Sequence, residues 1–194
     1  MIEFIRVWFI GIGHPVRAFH VLEEKPAPLW GLVSILTRFV GTSLTSILAL
    51  QMLNFKPFIP SYLTFLADSN YYRAEIFFLP VFGIGAWLLS SGLIHLILRI
   101  SGRESNIDWI MNVIGFSLLV VIPVVWLLDW TGIAFGFYGA AVTIPIHAGI
   151  SIWEVVLMGI GFKRLGNLNW PATLLLGFVV KAGVYIPLAA IFIR

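Results

Sequence analysis

Five long apolar segments, each bounded by charged or turn-forming residues, constrain this chain more than any other feature: Leu29–Leu50, Ile76–Leu98, Ile107–Leu128, Tyr138–Ile160 and Pro171–Ile193. A helix needs roughly 20 mainly apolar residues to cross the hydrocarbon of a bilayer, and the backbone inside it must satisfy its own hydrogen bonds. "SGRES" follows the second segment, "DWTG" the third and "GFKRLGNLN" with Pro171 the fourth, combining charge with helix-ending Gly or helix-starting Pro. The expected fold is therefore an all-α integral membrane protein, one domain built as a bundle of five transmembrane helices over residues 29–194.

Composition agrees. Hydrophobic residues make up 60% and charged residues 11% of the 194, and the mean hydropathy is +1.00, whereas about a quarter of a soluble domain is charged. The formal charge of +3 comes from scattered Lys and Arg with no run able to track a phosphate backbone, which argues against nucleic acid. With no cysteine, a disulfide framework, a thiol nucleophile and a thiolate metal site are all excluded. Val7–Ile12 is too short for a secretory signal and no small-residue cleavage pattern follows it, so the amino terminus is expected to stay in the mature protein.

Basic residues set an expected orientation, because cytoplasmic loops are enriched in Lys and Arg. One side collects seven (Arg6, Arg17, Lys25, Arg99, Arg103, Lys163, Arg164) and the other three (Lys56, Arg73, Arg194). The expectation is a multi-pass protein of the cell membrane with its amino terminus cytoplasmic and its carboxyl terminus outside. Within residues 1–28, Ile5, Phe9 and Ile12 share one helical face and Val16, Phe19 and Leu22 another, the pattern of two short interfacial amphipathic helices. Residues 51–75 carry Phe55, Phe58, Tyr62, Phe65, Tyr71 and Tyr72 among Pro57 and Pro60, an expected aromatic cap at the outer interface. No internal repeat or matched pair of broken helices suggests an inverted-repeat transporter.

The candidate site lies inside the spans. Thr143, His147, Ser151 and Glu154 fall at i, i+4, i+8 and i+11 on the fourth segment; Ser34, Arg38, Thr42 and Thr45 repeat that spacing on the first, and Lys181 sits near the centre of the fifth. At about 1.5 Å per residue, Glu154, Arg38, Lys181 and His147 lie roughly 9, 14, 15 and 20 Å from the expected cytoplasmic ends. A lone charge at the bilayer centre costs about 2.5–3.5 kcal/mol on insertion scales, so Glu154 is expected to neutralise Arg38 or Lys181, leaving one cation for carbonyls, water or an anion. The cluster Arg38, His147, Glu154 and Lys181, with Ser34, Thr42, Thr45, Thr143 and Ser151 in support, reads either as a polar packing element or as a conduction or proton-handling site.

Other chemistry has little to stand on. His147 and Glu154 lack the HExxH spacing, and His14, His20 and His95 lie elsewhere, His95 about a turn before Arg99 as an interfacial or packing residue; no metal or cofactor is expected. The glycines of "GIGHP" and "MGIGFKRLG" follow no strand and lack the Lys-Ser/Thr ending of a phosphate loop. Asp68, Asp108 and Asp129 fall near expected loops or span ends, where solvated carboxylates or helix caps are the ordinary reading. Ala86/Ser90 and Gly132/Gly136 have the small-xxx-small spacing of close helix contacts.

"GHPVRAFHVLEEKPAPLWGL" resembles the Asn/His-Pro-x-x-Ala-Phe…Glu-x-Pro entry segment of the Yip family, the Ypt-interacting membrane proteins, and "LIHLILRISGRESNIDWIMNVIGFSLLVVIP" is similar to that family's second span, basic turn and third span. The resemblance implies five spans with a cytoplasmic amino terminus. Eukaryotic relatives are associated with Rab-type GTPases, vesicle traffic and membrane shaping, and carry an Asp-Leu-Tyr-Gly-Pro motif that this sequence lacks. Rab binding is therefore not carried over, and the short amino-terminal region looks like the prokaryotic branch. The resemblance names no catalytic residue. The expected function is non-enzymatic membrane organisation or scaffolding, with the lipid bilayer and membrane proteins or a second copy as partners. The alternative is a small channel or carrier for protons, ions or a small solute using the intramembrane cluster. An enzyme acting on lipid would need a nucleophile–base or metal constellation, and none is visible.

Overall fold

A computed structural model describes residues 2–25, 27–58, 65–165 and 168–193. Among them there is no strand. Two short helices, α1 (Ile2–Gly13) and α2 (Pro15–Glu23), precede five that are long and apolar enough to cross a membrane: α3 (Leu29–Met52), α4 (Asp68–Ile100), α5 (Ile107–Ala134), α6 (Ala140–Phe162) and α7 (Trp170–Phe192). The chain is thus a multi-pass, all-α membrane protein. Helix α3 runs to Met52 and α4 begins at Asp68, so the connection expected over 51–75 is ten residues shorter, and Tyr71, Tyr72 and Glu75 are helical and buried. Pro60 and Tyr62 of the expected aromatic cap, and Arg194, lie outside the described residues.

Local chemistry explains the helix ends. Asn106 accepts from the backbone N–H of Trp109 at 3.1 Å and Asn169 from that of Ala172 at 2.9 Å, both amino-terminal caps, with Pro171 in the first turn after Asn169. Gly102 (φ 69°) ends α4 while the N–H of Arg103 reaches back to the carbonyl of Leu98 at 2.9 Å. This left-handed conformation costs glycine little. Gly136 (φ 74°) does the same after α5, so the Gly132/Gly136 pair belongs to a helix end and not to a helix–helix contact.

Helix α5 is the centre of the bundle: 72% of its most apolar stretch is buried, against at most 39% in any other span. Its helical run is interrupted at Val121, where Pro123 falls in the first turn of the second half and cannot donate to the preceding turn. Glycine brings α3 against it. A Cβ at Gly31 would stand 2.5 Å from the carbonyl oxygen of Met111, and one at Gly115 would stand 2.7 Å from the Cα of Gly31. Buried Asn112 tightens this crossing, accepting from Gly31 N–H at 2.8 Å and donating to the Ala27 carbonyl at 2.9 Å. Such close backbone approach is how membrane helices gain contact area where lipid offers no hydrophobic drive.

Helices α1 and α2 form a hairpin along the first half of α5. Phe4 meets Trp30 edge-on at 5.3 Å, Trp8 Nε1 donates to the Leu119 carbonyl at 3.0 Å, and a Cβ at Gly11 would stand 2.8 Å from Val120. The chain then turns back: Phe19 packs edge-on against Phe116 and Trp109, and Glu23 meets Arg164 at 2.7 Å beyond the end of α6. The outward face of α1 carries Ile2, Ile5, Phe9 and Ile12, all exposed.

Helices α6 and α7 pack at one end and part at the other. A Cβ at Gly159 would stand 2.9 Å from Leu174, and one at Gly177 2.9 Å from the carbonyl of Val155. Toward the start of α6 and the end of α7 the bundle encloses a cavity instead, one wall of which is the stretch of α7 that winds as a π-helix over Lys181–Tyr185, just before Pro187. A π-turn inserts an extra residue, and such turns recur at functional sites.

Candidate functional site

The polar stripe of α6 faces open space. Thr143, His147, Ser151 and Glu154 all line one cavity of about 300 Å³ between α3, α6 and α7. Its remaining wall is mainly apolar, with Phe39, Phe82, Leu118, Ile150 and Ala189 prominent, and Phe58, Tyr138 and Ile193 lie toward the end where α6 starts. Ile144 and Ile186 stand on opposite lips and are 51% and 54% exposed, so the cavity reaches the lateral surface of the bundle between α6 and α7.

At the cavity's floor Glu154, with no exposed surface, sits between two cations. Lys181 Nζ donates to its Oε2 at 2.5 Å, and Arg38 Nη2 lies 3.0 Å from its Oε1 at ion-pair distance without hydrogen-bond alignment. Arg38 Nη1 donates to the Leu118 carbonyl at 2.7 Å, and Lys181 lies over the Tyr185 ring at 5.1 Å. The triad joins α3, α5, α6 and α7. Its polarity is uneven: the side chains of Arg38 and Lys181 keep 13% and 10% of their surface, while Glu154 keeps none. With two cations and one carboxylate, the floor carries one net positive charge. The buried Tyr185 hydroxyl, also on the wall, has no hydrogen-bond partner.

The structure brings Arg38, Glu154 and Lys181 together, with Glu154 meeting both cations. His147 is a second centre, its Nε2 3.0 Å from Oδ1 of Asp129. Asp129 corrects the expectation of a solvated or capping carboxylate: α5 runs on to Ala134, and the side chain is 6% exposed inside it. Of the first-span stripe only Arg38 reaches the cavity. Ser34 Oγ donates to the Trp30 carbonyl and Thr45 Oγ1 to that of Gly41, both at 2.7 Å, while Thr42 Oγ1 accepts from Trp126 Nε1 at 3.2 Å.

Sequence reasoning gave Asp129 only that ordinary reading and passed over Tyr185 and Tyr138. Burial first, and then the charge of Asp129, raise the Tyr138 phenol well above its ordinary range and keep it a proton donor. Glu75 is another buried carboxylate, with Oε2 unpartnered. Of the remaining candidates, His95 Nδ1 shares a 2.8 Å hydrogen bond with Ser105 Oγ, and Asp108 lies in the first turn of α5 behind the Asn106 cap. Among the described residues no three His, Asp or Glu side chains gather as a metal site would need.

Comparison with curated proteins and with solved structures gave no match. A family model does match: the Yip1 domain, over residues 11–191. With that match covering nearly the whole chain, from the end of α1 to the last turn of α7 and with the intramembrane triad inside it, the protein belongs to the Yip1 family.

Proposed function

We propose that this Yip1-family membrane protein is not an enzyme and works by admitting a small polar or ionic solute to the cavity between α3, α6 and α7, as a carrier or channel. One observation carries the reading: the Thr143–His147–Ser151–Glu154 stripe lines a space of about 300 Å³, which stays open although Glu154 pairs with Arg38 and Lys181 and His147 with Asp129. A packing element would be expected to fill that space, since interiors leave few voids larger than a water molecule. The orientation that goes with the reading puts the amino terminus in the cytoplasm and the carboxyl terminus outside the cell membrane, supported by the seven-to-three split of basic residues. An impermeant thiol reagent added from outside should leave the single thiol of an Arg103→Cys variant unlabelled.

The test is flux of protons and monovalent ions into liposomes holding the purified protein. Wild type should exceed protein-free vesicles, and Glu154→Gln should abolish the excess; Lys181→Met, which keeps the Arg38–Glu154 pair, serves as a second variant if the first does not fold. No flux from any of them, with melting temperature alone affected, makes the triad a packing element. The membrane-organising role then leads, supported by the exposed row Ile2, Ile5, Phe9 and Ile12 on α1, which suits lipid or another membrane protein.

A further inference from the structure

We infer that the cavity takes an oxyanion carried on an aliphatic chain, a carboxylate or phosphate group held by Arg38, Lys181 and Tyr185 with its chain leaving between Ile144 and Ile186. The inference rests on the reading of the cavity as a solute site and names the class of solute. It begins from charge: the floor holds two cations and one carboxylate, and of the three lining side chains only the cations keep any exposed surface. Another buried carboxylate, Asp129, is met by His147 and is not among the residues lining the cavity. An uncompensated cation among hydrocarbon is unfavourable, and an entering anion removes that cost.

Donor capacity points the same way. An arginine has five N–H groups and a lysine three, all donors and none acceptors. Glu154 and the Leu118 carbonyl engage only part of that capacity. Tyr185 adds a buried hydroxyl without a partner, where buried polar groups ordinarily have one. An oxyanion has lone pairs for all three, and charge-assisted bonds of this kind are the strong ones. The apolar wall then decides what the charge is attached to. Phe39, Phe82, Ile150 and Ala189 offer apolar surface that a hydrocarbon chain attached to the anion would cover, and the half-exposed lips at Ile144 and Ile186 lie within the spans, which lipid is expected to surround. A polar ligand from water and an acidic lipid from the bilayer share the oxyanion, but the lateral mouth favours the lipid.

The delipidated full chain in detergent is titrated with phosphatidic acid, with phosphatidylcholine and, at matched ionic strength, with sodium phosphate against sodium chloride, following thermal unfolding. Phosphatidic acid should stabilise wild type at concentrations at least about tenfold below phosphatidylcholine, the difference expected from one charge-assisted contact. Lys181→Met keeps Glu154 paired with Arg38 and should lose the preference; Ala189→Phe fills the apolar limb, leaves the cations, and should lose it too. Stabilisation by sodium phosphate that survives in Ala189→Phe and fails in Lys181→Met, with no lipid preference, would keep the oxyanion and overturn its aliphatic part. No response to either, in wild type that melts cooperatively, overturns the inference. Were Glu154-dependent flux to persist in that case, the cavity would remain a path for protons or cations.

Discussion

Nε2 of His147 lies 3.0 Å from Oδ1 of Asp129, so the histidine that shares a helical face with Glu154 is held by a carboxylate from the neighbouring span. Asp129 is almost wholly buried, and a buried acceptor that loses its donor costs about 1–3 kcal/mol. His147→Ala should therefore lower stability by about that much, and adding Asp129→Asn should recover most of the loss, because an amide is far easier to bury than a lone carboxylate. Thermal unfolding of the four-member cycle in detergent checks this. Equal and additive losses would mean that the two side chains do not depend on each other.

The floor triad predicts an order among single substitutions. Glu154→Gln leaves Arg38 and Lys181 facing each other without a counter-charge, and breaking a buried pair in this way costs about 3–5 kcal/mol. Lys181→Met leaves the Arg38–Glu154 pair intact and should cost clearly less. Arg38→Met combined with Glu154→Gln leaves one cation and should be more stable than Glu154→Gln alone. Melting temperatures that rank Lys181→Met below Glu154→Gln would contradict this account of the charge.

The parts of the site that could be read in the sequence were those where a charge interrupts a run of apolar residues: Arg38, Glu154 and Lys181 meet, because each has little alternative to burial against another. Asp129 was hidden by its neighbours, since "DWTG" has the composition of a span end, yet the helix continues through it until Gly136 supplies the positive φ that stops it. The stripe on the first span misled for a different reason. Spacing assigns residues to a face but does not say what satisfies them, and Ser34 and Thr45 bond to the carbonyl four residues back in their own helix. Over Ser43–Ile47 the helix also winds as a π-helix, whose extra residue shifts Thr45 off the face that Arg38 defines. The same winding in α7 shapes the cavity beside Lys181 and leaves no signature in hydropathy.

Glycines divide sharply into those that carry packing and those that do not. A Cβ at Gly31 would press on the backbone of Met111, which cannot move aside as a side chain can, and would spread the α3–α5 crossing that Asn112 holds. Gly92, in the interior of α4, has nothing within 4 Å of the same position. Gly31→Ala should lower the melting temperature, while Gly92→Ala should leave it unchanged or raise it, since alanine is favoured over glycine in a helix by about 1 kcal/mol. Similar responses from the two would show that the α3–α5 crossing is looser than its geometry implies.

The hairpin of α1 and α2 makes a prediction about depth. Phe4 pairs with Trp30 near the start of α3, whereas Trp8 bonds to Leu119 and Gly11 packs on Val120, near the middle of α5. Moving along α1 thus means moving along α5, away from the end that carries Lys25 and Arg164. A helix lying flat on the membrane surface would contact a single level of α5. A nitroxide on Phe9→Cys, on the exposed face, should therefore be relaxed strongly by oxygen and weakly by a water-soluble nickel chelate, and one on Glu3→Cys, which is paired with Lys25 at the helix start, should show the reverse. Equal access of the chelate to both positions would place α1 on the surface, as its amphipathic pattern alone had suggested. A deep position for Phe9 would instead make the hairpin a wedge in the leaflet beside α5, with Ile5, Phe9 and Ile12 turned to lipid and its return helix fastened by Arg164 to Glu23.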